Sequence, residues 1–454
     1  MSLKTESLAS MCEAVIDCPH STPVWTKSGY VVLRNQNIKD GRLDISEPSF
    51  TDEEHFKQRI RRMAPRPGDI VITREAPMGE VCKIPEGLTC CLGQRQVLLR
   101  PKADVDADYL LYALQSSFVQ NQIRWNEGTG STVSNIRIPV LEKIEIPRHD
   151  QAETGIAKVL GSLDSKINLN RCINQTLEAM AQAIFKSWFV DFDPVKAKIA
   201  AIEQGQDPLR AAMRAISGKN DTELDQMPRE HHDQLSATAA LFPDEMEESE
   251  LGGIPKGWVF QAADLLAEVG IGKTPPRKEP QWFSEGEGDW RWVSIKDMGT
   301  SGVFQQRSSE FLTSEAVSHF NVRVVPDRTV LLSFKLTIGR VAITDGPMVT
   351  NEAIAHFKLP DDSAISSEYL YLYLKSFDYS KLGSTSSIAD AVNSKTIREM
   401  PIIVANYDLI GCFTKSVIPI FEEVRNRQNE IATLGATRDT LLPKLLSGEV
   451  EVPA

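Results

Sequence analysis

The chain has 454 residues, 41% of them hydrophobic, with 50 Lys and Arg against 62 Asp and Glu for a formal net charge of −12. That length exceeds one ordinary domain and the composition is that of a soluble globular protein, so about two to four modules with separate cores are expected. No apolar run approaches the roughly 20 residues of a bilayer span, and MSLKTESLAS has no apolar export core, which excludes a membrane class and makes the cytoplasm the expected compartment.

Residues 1–150 contain short β-branched runs, YVVL at Tyr30–Leu33 and DIVIT at Asp69–Thr73, punctuated by Pro and Gly. They predict a strand-rich α+β or α/β domain. DYLLYALQSS, Asp108–Ser117, reads as a small Tyr-Leu helix closing it. The seven cysteines form no CxxC pair and leave one over in any disulfide scheme, so reduced, mostly buried thiols are expected.

From Ile156 the period changes: Leu160, Leu163, Ile167, Asn170, Asn174, Leu177, Ala181, Ile184 and Trp188 step by threes and fours, a heptad seam with a polar middle. This predicts a central helix over 151–191. Residues 192–251 read as an acidic, partly helical linker, in which Arg229 is the only Lys or Arg between Asp221 and Glu250. The chain's acidity, which by itself argues against a nucleic-acid binder, is therefore largely a property of this spacer. A second strand-rich domain is expected over 252–405, and a second seam over 406–448, through Phe413, Val417, Ile420, Val424, Arg427, Ile431, Leu434, Arg438, Leu441 and Leu445.

The second half rewrites the first. EYLYLYLKS, Glu368–Ser376, repeats DYLLYALQSS, and Tyr369 lies 260 residues after Tyr109; the same offset pairs Ile70–Thr73 with Val330–Ser333 and Gly79 with Gly339. Two divergent copies of a domain-plus-helix unit follow, the two helices pairing as an antiparallel coiled coil or each lying as an amphipathic helix on its own globular core. Expected pairing positions are Ile167, Asn170, Asn174, Leu177, Ile184 and Trp188 against Val424, Arg427, Ile431, Leu434, Leu441 and Leu445. Gly161 and Pro419 predict a break in each helix, leaving a rod of roughly 40 Å from Ser162 to Trp188.

Catalytic signatures are missing. Gly270-Ile-Gly-Lys-Thr274 ends like a P-loop, but position 267 is Ala and Pro275-Pro276 occupy the place of a phosphate-binding helix start. There is no nucleophile elbow, HExxH, zinc-ligand spacing or post-strand GxGxxG. No cofactor or metal is expected on this chain.

Side chains suited to DNA remain. Lys57–Arg62 is a basic cluster containing Arg59, Arg61 and Arg62, either a phosphate contact or a solvated helix face. Thr22, Lys27, Arg34, Arg74, Gln94 and Arg95 in copy one, and Lys273, Thr274, Arg277, Lys296, Lys335, Arg340 and Asn351 in copy two, stand in or beside predicted loops, where Lys and Arg suit phosphates and Arg, Asn and Gln suit base edges. Gly128–Thr132, with Thr129 and Ser131, and Gly383–Ser387, with Ser384, are loops that either grip a backbone or simply turn.

The chain resembles the DNA specificity subunit of type I restriction-modification systems. The resemblance rests on the paired copies, INQTLEAM from Ile173, AIFKSWFVDFDP from Ala183, ALFPD from Ala240, GIPKGW and the ending LLPKLLSG from Leu441, and it spans essentially the whole chain. GIPKGW introduces copy two without a clear match before copy one. The resemblance implies two target-recognition domains, each reading half of a split DNA site, held apart by two antiparallel helices. It further implies two docked methyltransferase subunits that use S-adenosylmethionine to methylate adenine N6, and restriction/translocase subunits using ATP and Mg for cleavage. The rival readings are a fused methyltransferase, for which no NPPY or DPPY string occurs, and an adaptor scaffold that binds protein but not DNA.

Overall fold

The β-branched runs of both copies fold into one strand order written twice. The computed structural model describes residues 4–126, 135–284, 286, 289–382 and 392–452, and the chain divides into a first unit, Met1–Leu169 with Ile431–Ala454, and a second, Asn170–Glu430.

In the first unit the two main sheets are built from β1 (Cys12–Asp17), β2 (Tyr30–Leu33), β3 (Ser49–Thr51), β4 (Ile70–Arg74), β5 (Met78–Lys83), β6 (Cys90–Leu92) and β7 (Gln96–Pro101). They form an antiparallel sheet ordered β1-β7-β4-β5 and a small sheet β3-β2-β6 in which β2 and β6 run parallel. DIVIT is apolar without alternation because both faces are covered. Ile70 and Ile72 join a cluster with Tyr109 and Leu110, while Val71 joins Leu33, Cys82 and Leu98 on the other side. Helix α1 (Ala107–Gln115) starts where the Asp106 carboxylate accepts from the Asp108 and Tyr109 amides at 2.9 and 3.1 Å. Behind it begins the long helix α2 (Glu153–Phe189).

The second unit repeats this plan with β8 (Glu268–Ile271), β9 (Trp290–Val293), β10 (Glu310–Leu312), β11 (Val330–Ser333), β12 (Val341–Thr344), β13 (Val349–Thr350) and β14 (Ile354–Lys358). Its sheet runs β8-β14-β11-β12, extended by Phe304–Gln305, and β9 and β13 are again the parallel pair of the small sheet. Ser366 caps α3 (Ser367–Ser376), and α4 (Tyr407–Ser447) follows. The N-terminal edge that GIPKGW left unmatched exists in both copies: Thr5–Ser7 pairs with Glu145–Pro147, and Val259–Ala262 with Pro401–Val404.

The Tyr-Leu helices are core. Tyr109 to Leu114 and Glu368 to Leu374 are buried, each apolar side chain contributing about 1.5–3 kcal/mol, and the hydroxyls of Tyr109 and Tyr369 donate to the carbonyls of Pro147 and Ile403 at 2.7 and 2.8 Å.

Both long helices are continuous, α2 over 37 residues and α4 over 41. This corrects the expected breaks. A Cβ on Gly161 would meet only the Tyr112 hydroxyl, at 3.8 Å, so the glycine opens no kink-forming contact. Pro419 is exposed and removes one backbone donor, while its neighbours Val417 and Phe421 are buried and hold the helix in place. Within the first unit, Ile156 and Leu160 share a cluster with Leu445, and Asp164 accepts from Arg438 Nη1 at 2.8 Å. Within the second, Asn170 meets Arg427 and the Trp188 ring lies tilted against Phe413 with centroids 5.8 Å apart. In each unit, numbers rise along α2 as they fall along α4, so the segments pair antiparallel.

The spacer is largely helical. Asp193–Glu203, Pro208–Ser217, Asp221–Asp225 and Arg229–Ala240 are helices, with Ala212, Met213, Leu224 and Ala239 as a small core. Arg210 and Arg214 pair with Asp221, which is how a carboxylate-rich text folds locally. PDEMEES supplies the strand Met246–Ser249, paired with Gly252–Pro255.

Candidate nucleic-acid interface

Strand register gathers one group of loops at one end of each sheet. In the first unit, β7 pairs Val97 with Asp17 and Gln96 with Thr73, so the segments after β1, after β4 and before β7 emerge together. Polar bonds knit them. Gln94 Nε2 donates to the His20 carbonyl at 2.6 Å, Asn35 Nδ2 to the Glu75 carbonyl at 2.6 Å, and Gln96 Nε2 to Asn35 Oδ1 at 3.2 Å.

Arg59 is the keystone of this arrangement. It is 7% exposed, and its guanidinium donates to the carbonyls of Leu92, Ser21 and Gly93 at 2.8, 3.0 and 2.9 Å. Burial pulls its pKa below the usual arginine value. This corrects its expected role as a phosphate contact, because its donors are committed to tying the segment after β1 to the one before β7. Arg74 is likewise engaged, donating to both oxygens of Asp17 at 2.9 and 3.0 Å and to the Ile136 carbonyl.

Thr22, Lys27, Arg34, Arg61, Arg62 and Arg95 are exposed and Gln94 is half-buried, and Arg62 also donates to the Asp17 carbonyl at 3.2 Å. Arg34 lies over the ring of Trp25 at 5.4 Å, and Trp25 is 47% exposed. Sequence reasoning passed over Trp25; its signal was an aromatic among the polar and Pro residues of STPVWTK. Arg95 holds a positive φ of 65° and lies 3.6 Å from Glu75.

In the second unit the register pairs Ile271 with Ala355 and Ser333 with Ile354, which brings the loop after β8, the β11–β12 hairpin and the turn before β14 to the equivalent end. Gly272 sits where a Cβ would meet the Asn351 carbonyl at 2.2 Å. The glycine of the P-loop-like string thus serves a close backbone approach. Lys273 Nζ donates to the Phe320 carbonyl at 2.7 Å, Thr274 bonds Glu352, and Arg340 Nη1 donates to the Ile295 carbonyl at 2.5 Å. Arg277 is held by Glu310 at 2.6 and 3.0 Å and stacks over Phe283 and Trp292 at 4.4 and 4.5 Å, and those hydrogen bonds push its guanidinium up in pKa. Lys296 and Lys335 are exposed, and Asn351 is half-buried with its Oδ1 accepting from the Ala353 amide. Thr129, Ser131 and Ser384 lie outside the described residues.

Each unit therefore places exposed Arg and Lys side chains beside a half-buried amide, Gln94 or Asn351, at this end of its sheet. Among the described residues no group of three or more His, Cys, Asp or Glu is placed to hold a metal, and no helix is long and apolar enough to cross a membrane. Cys12, Cys18, Cys82, Cys90 and Cys91 are buried free thiols, and burial pushes Cys12 and Cys90 up to about 12, away from nucleophilic chemistry.

With this geometry in view, comparison with known proteins is specific. The family model described as "Type I restriction modification DNA specificity domain" matches twice, at residues 21–179 and 255–406. The chain is 35% identical over 337 residues to the type I restriction enzyme HindI specificity subunit of Haemophilus influenzae, covering 71% of each chain. It is 26% identical over 410 residues to the MjaIX specificity subunit of Methanocaldococcus jannaschii, covering 88% of this chain and 81% of that one. A solved S subunit from M. genitalium aligns over 100% of this chain and 97% of its own at 14% identity with a TM-score of 0.49.

Proposed function

The chain belongs to the type I restriction modification DNA specificity family, and on that premise we propose that it is the non-catalytic specificity subunit of such a complex. Its two units each read one half of a split double-stranded DNA site, the helical pair fixes the spacing between the halves, and the bound site is presented to adenine-N6 methyltransferase subunits. The observation that carries this reading is the duplicated reader: one strand order, one set of gathered loops, in two copies that both match the specificity-domain family.

The partner set is proposed as two methyltransferase subunits, with S-adenosylmethionine bound on them, and two restriction/translocase subunits using ATP and Mg where the system also cleaves. This chain supplies recognition and assembly, and the chemistry belongs to its partners.

The test is a map of N6-methyladenine in genomic DNA from cells with and without the gene. Loss of one split motif on deletion is expected; an unchanged set of motifs contradicts the reading. The adaptor alternative is separated by DNA affinity measured against salt, because phosphate contacts must weaken as salt rises.

A further inference from the structure

The β11–β12 hairpin of the second unit ends in a side chain that neither packing nor turn chemistry explains. Leu336 is 91% exposed at its apex and has φ 60°. The Thr337 amide donates to the Lys335 carbonyl at 2.7 Å, closing a three-residue turn around a positive-φ centre, the rare and strained form of the γ-turn. Leucine is poorly suited to that conformation, which Gly or Asn adopts at less cost. Exposure at this level also means that the side chain gains nothing from burial in the free protein.

The turn is nevertheless firmly held. Ser333 Oγ donates to the Thr337 carbonyl at 2.6 Å and accepts from the Arg340 amide at 3.0 Å, and the Gly339 amide donates to the Ser333 carbonyl at 3.0 Å. At its base the Phe334 amide donates to the Ala353 carbonyl at 3.0 Å, which fixes the hairpin beside Asn351 and Glu352. The first unit provides a comparison. Its equivalent turn, Glu75-Ala76-Pro77, also has a positive φ, 49° at Ala76, so a positive φ at this position recurs in both copies. There the apex is a small residue, Pro77 has no amide with which to close a γ-turn, and Glu75 is tied to Asn35 and Arg95. The large aliphatic group is particular to the second reader, next to the exposed Lys335.

We propose that Leu336 is a specificity-determining residue that reads a thymine in the half-site of the second unit by packing on its 5-methyl group in the major groove. A two-stranded ribbon fits that groove, the thymine methyl is the one apolar feature displayed there, and aliphatic contact is how it is distinguished. The flanking Lys335 supplies a phosphate contact that seats the hairpin. The inference rests on the DNA-reading function proposed above.

The experiment uses the assembled methyltransferase complex and its split site, with each thymine of the second unit's half-site replaced in turn by deoxyuridine, which lacks only the methyl. For the wild-type complex, one such replacement is expected to weaken binding roughly three- to tenfold. For complexes carrying Leu336→Ala or Leu336→Asn, binding to the thymine site falls by a similar factor and that replacement has no further effect. Asn suits the turn, so Leu336→Asn should also leave the chain's Tm equal or higher, which a merely structural leucine would not. If every deoxyuridine probe acts equally on wild type and variants, or if the variants fail to assemble with methyltransferase while binding DNA normally, the inference is overturned and the subunit's function stands. If the wild-type complex shows no preference for any split site, both fall together.

Discussion

Asn170, fully buried on α2, accepts a hydrogen bond from Arg427 Nη1 at 3.0 Å and donates one to Glu430 at 2.8 Å. It is the polar centre of the helix pairing in the second unit, where an apolar residue would fit the heptad better. A buried polar residue at such a position sacrifices stability and fixes register.

Asn170→Leu is therefore expected to destabilise the chain by about 1–3 kcal/mol in chemical denaturation, because the Arg427 Nη1 donor loses its buried acceptor while Nη2 keeps Glu423. Adding Arg427→Leu should recover most of that loss, since two apolar partners replace a broken polar set. If the double variant is as unstable as the sum of the singles, the pairing described here is not the source of the effect.

The basic cluster KQRIRR divides by role. Arg59→Ala should cost about 2–4 kcal/mol of stability, since it orphans three loop carbonyls, and should lower DNA affinity while leaving its salt dependence unchanged. Arg61→Ala and Arg62→Ala should be near neutral in stability, and each should reduce the slope of log K against log salt by about one if it meets a phosphate. A salt titration of the variant complexes separates the two classes.

That division marks the limit of what the sequence makes legible. The duplication was readable because packing demands the same residues twice: Tyr109 and Tyr369 reach equivalent carbonyls, and DIVIT and TVLL are each covered on both faces. The seam was readable for the same reason, and two of its polar members, Arg427 and Arg438, reach Asn170 and Asp164 on the other helix. Arg59 was misplaced because a basic run looks uniform until its helix is drawn: Phe56 and Arg59, three apart, are buried together, while Arg61 and Arg62 lie past the helix end. The spacer's helices were legible only in part, because ion pairs such as Arg210 with Asp221 and Asp225 help a sparse apolar pattern fold. The Pro419 break was overcalled because one lost hydrogen bond is small against the buried face of a 41-residue helix.

The second unit should weaken in acid. His356 is buried in β14 with Nε2 2.5 Å from Thr350 Oγ1, and burial, with the charge of Arg323, holds its pKa down to about 3. Unfolding raises it to the ordinary value near 6.5, so the unfolded chain binds the extra proton between these values and stability falls as pH drops below about 6.5. The contribution is up to roughly 1.4 kcal/mol per pH unit, about 2 kcal/mol by pH 5. Denaturation of wild type and His356→Gln at pH 7 and pH 5 should show the steeper loss in the wild type; parallel losses would count against it.

The claim that each unit reads its own half-site is tested most directly by exchanging residues 255–406 for the corresponding segment of a related specificity subunit and mapping N6-methyladenine in the resulting cells. The account predicts a split motif with one half unchanged and the other replaced. A motif altered in both halves, or in neither, would contradict it.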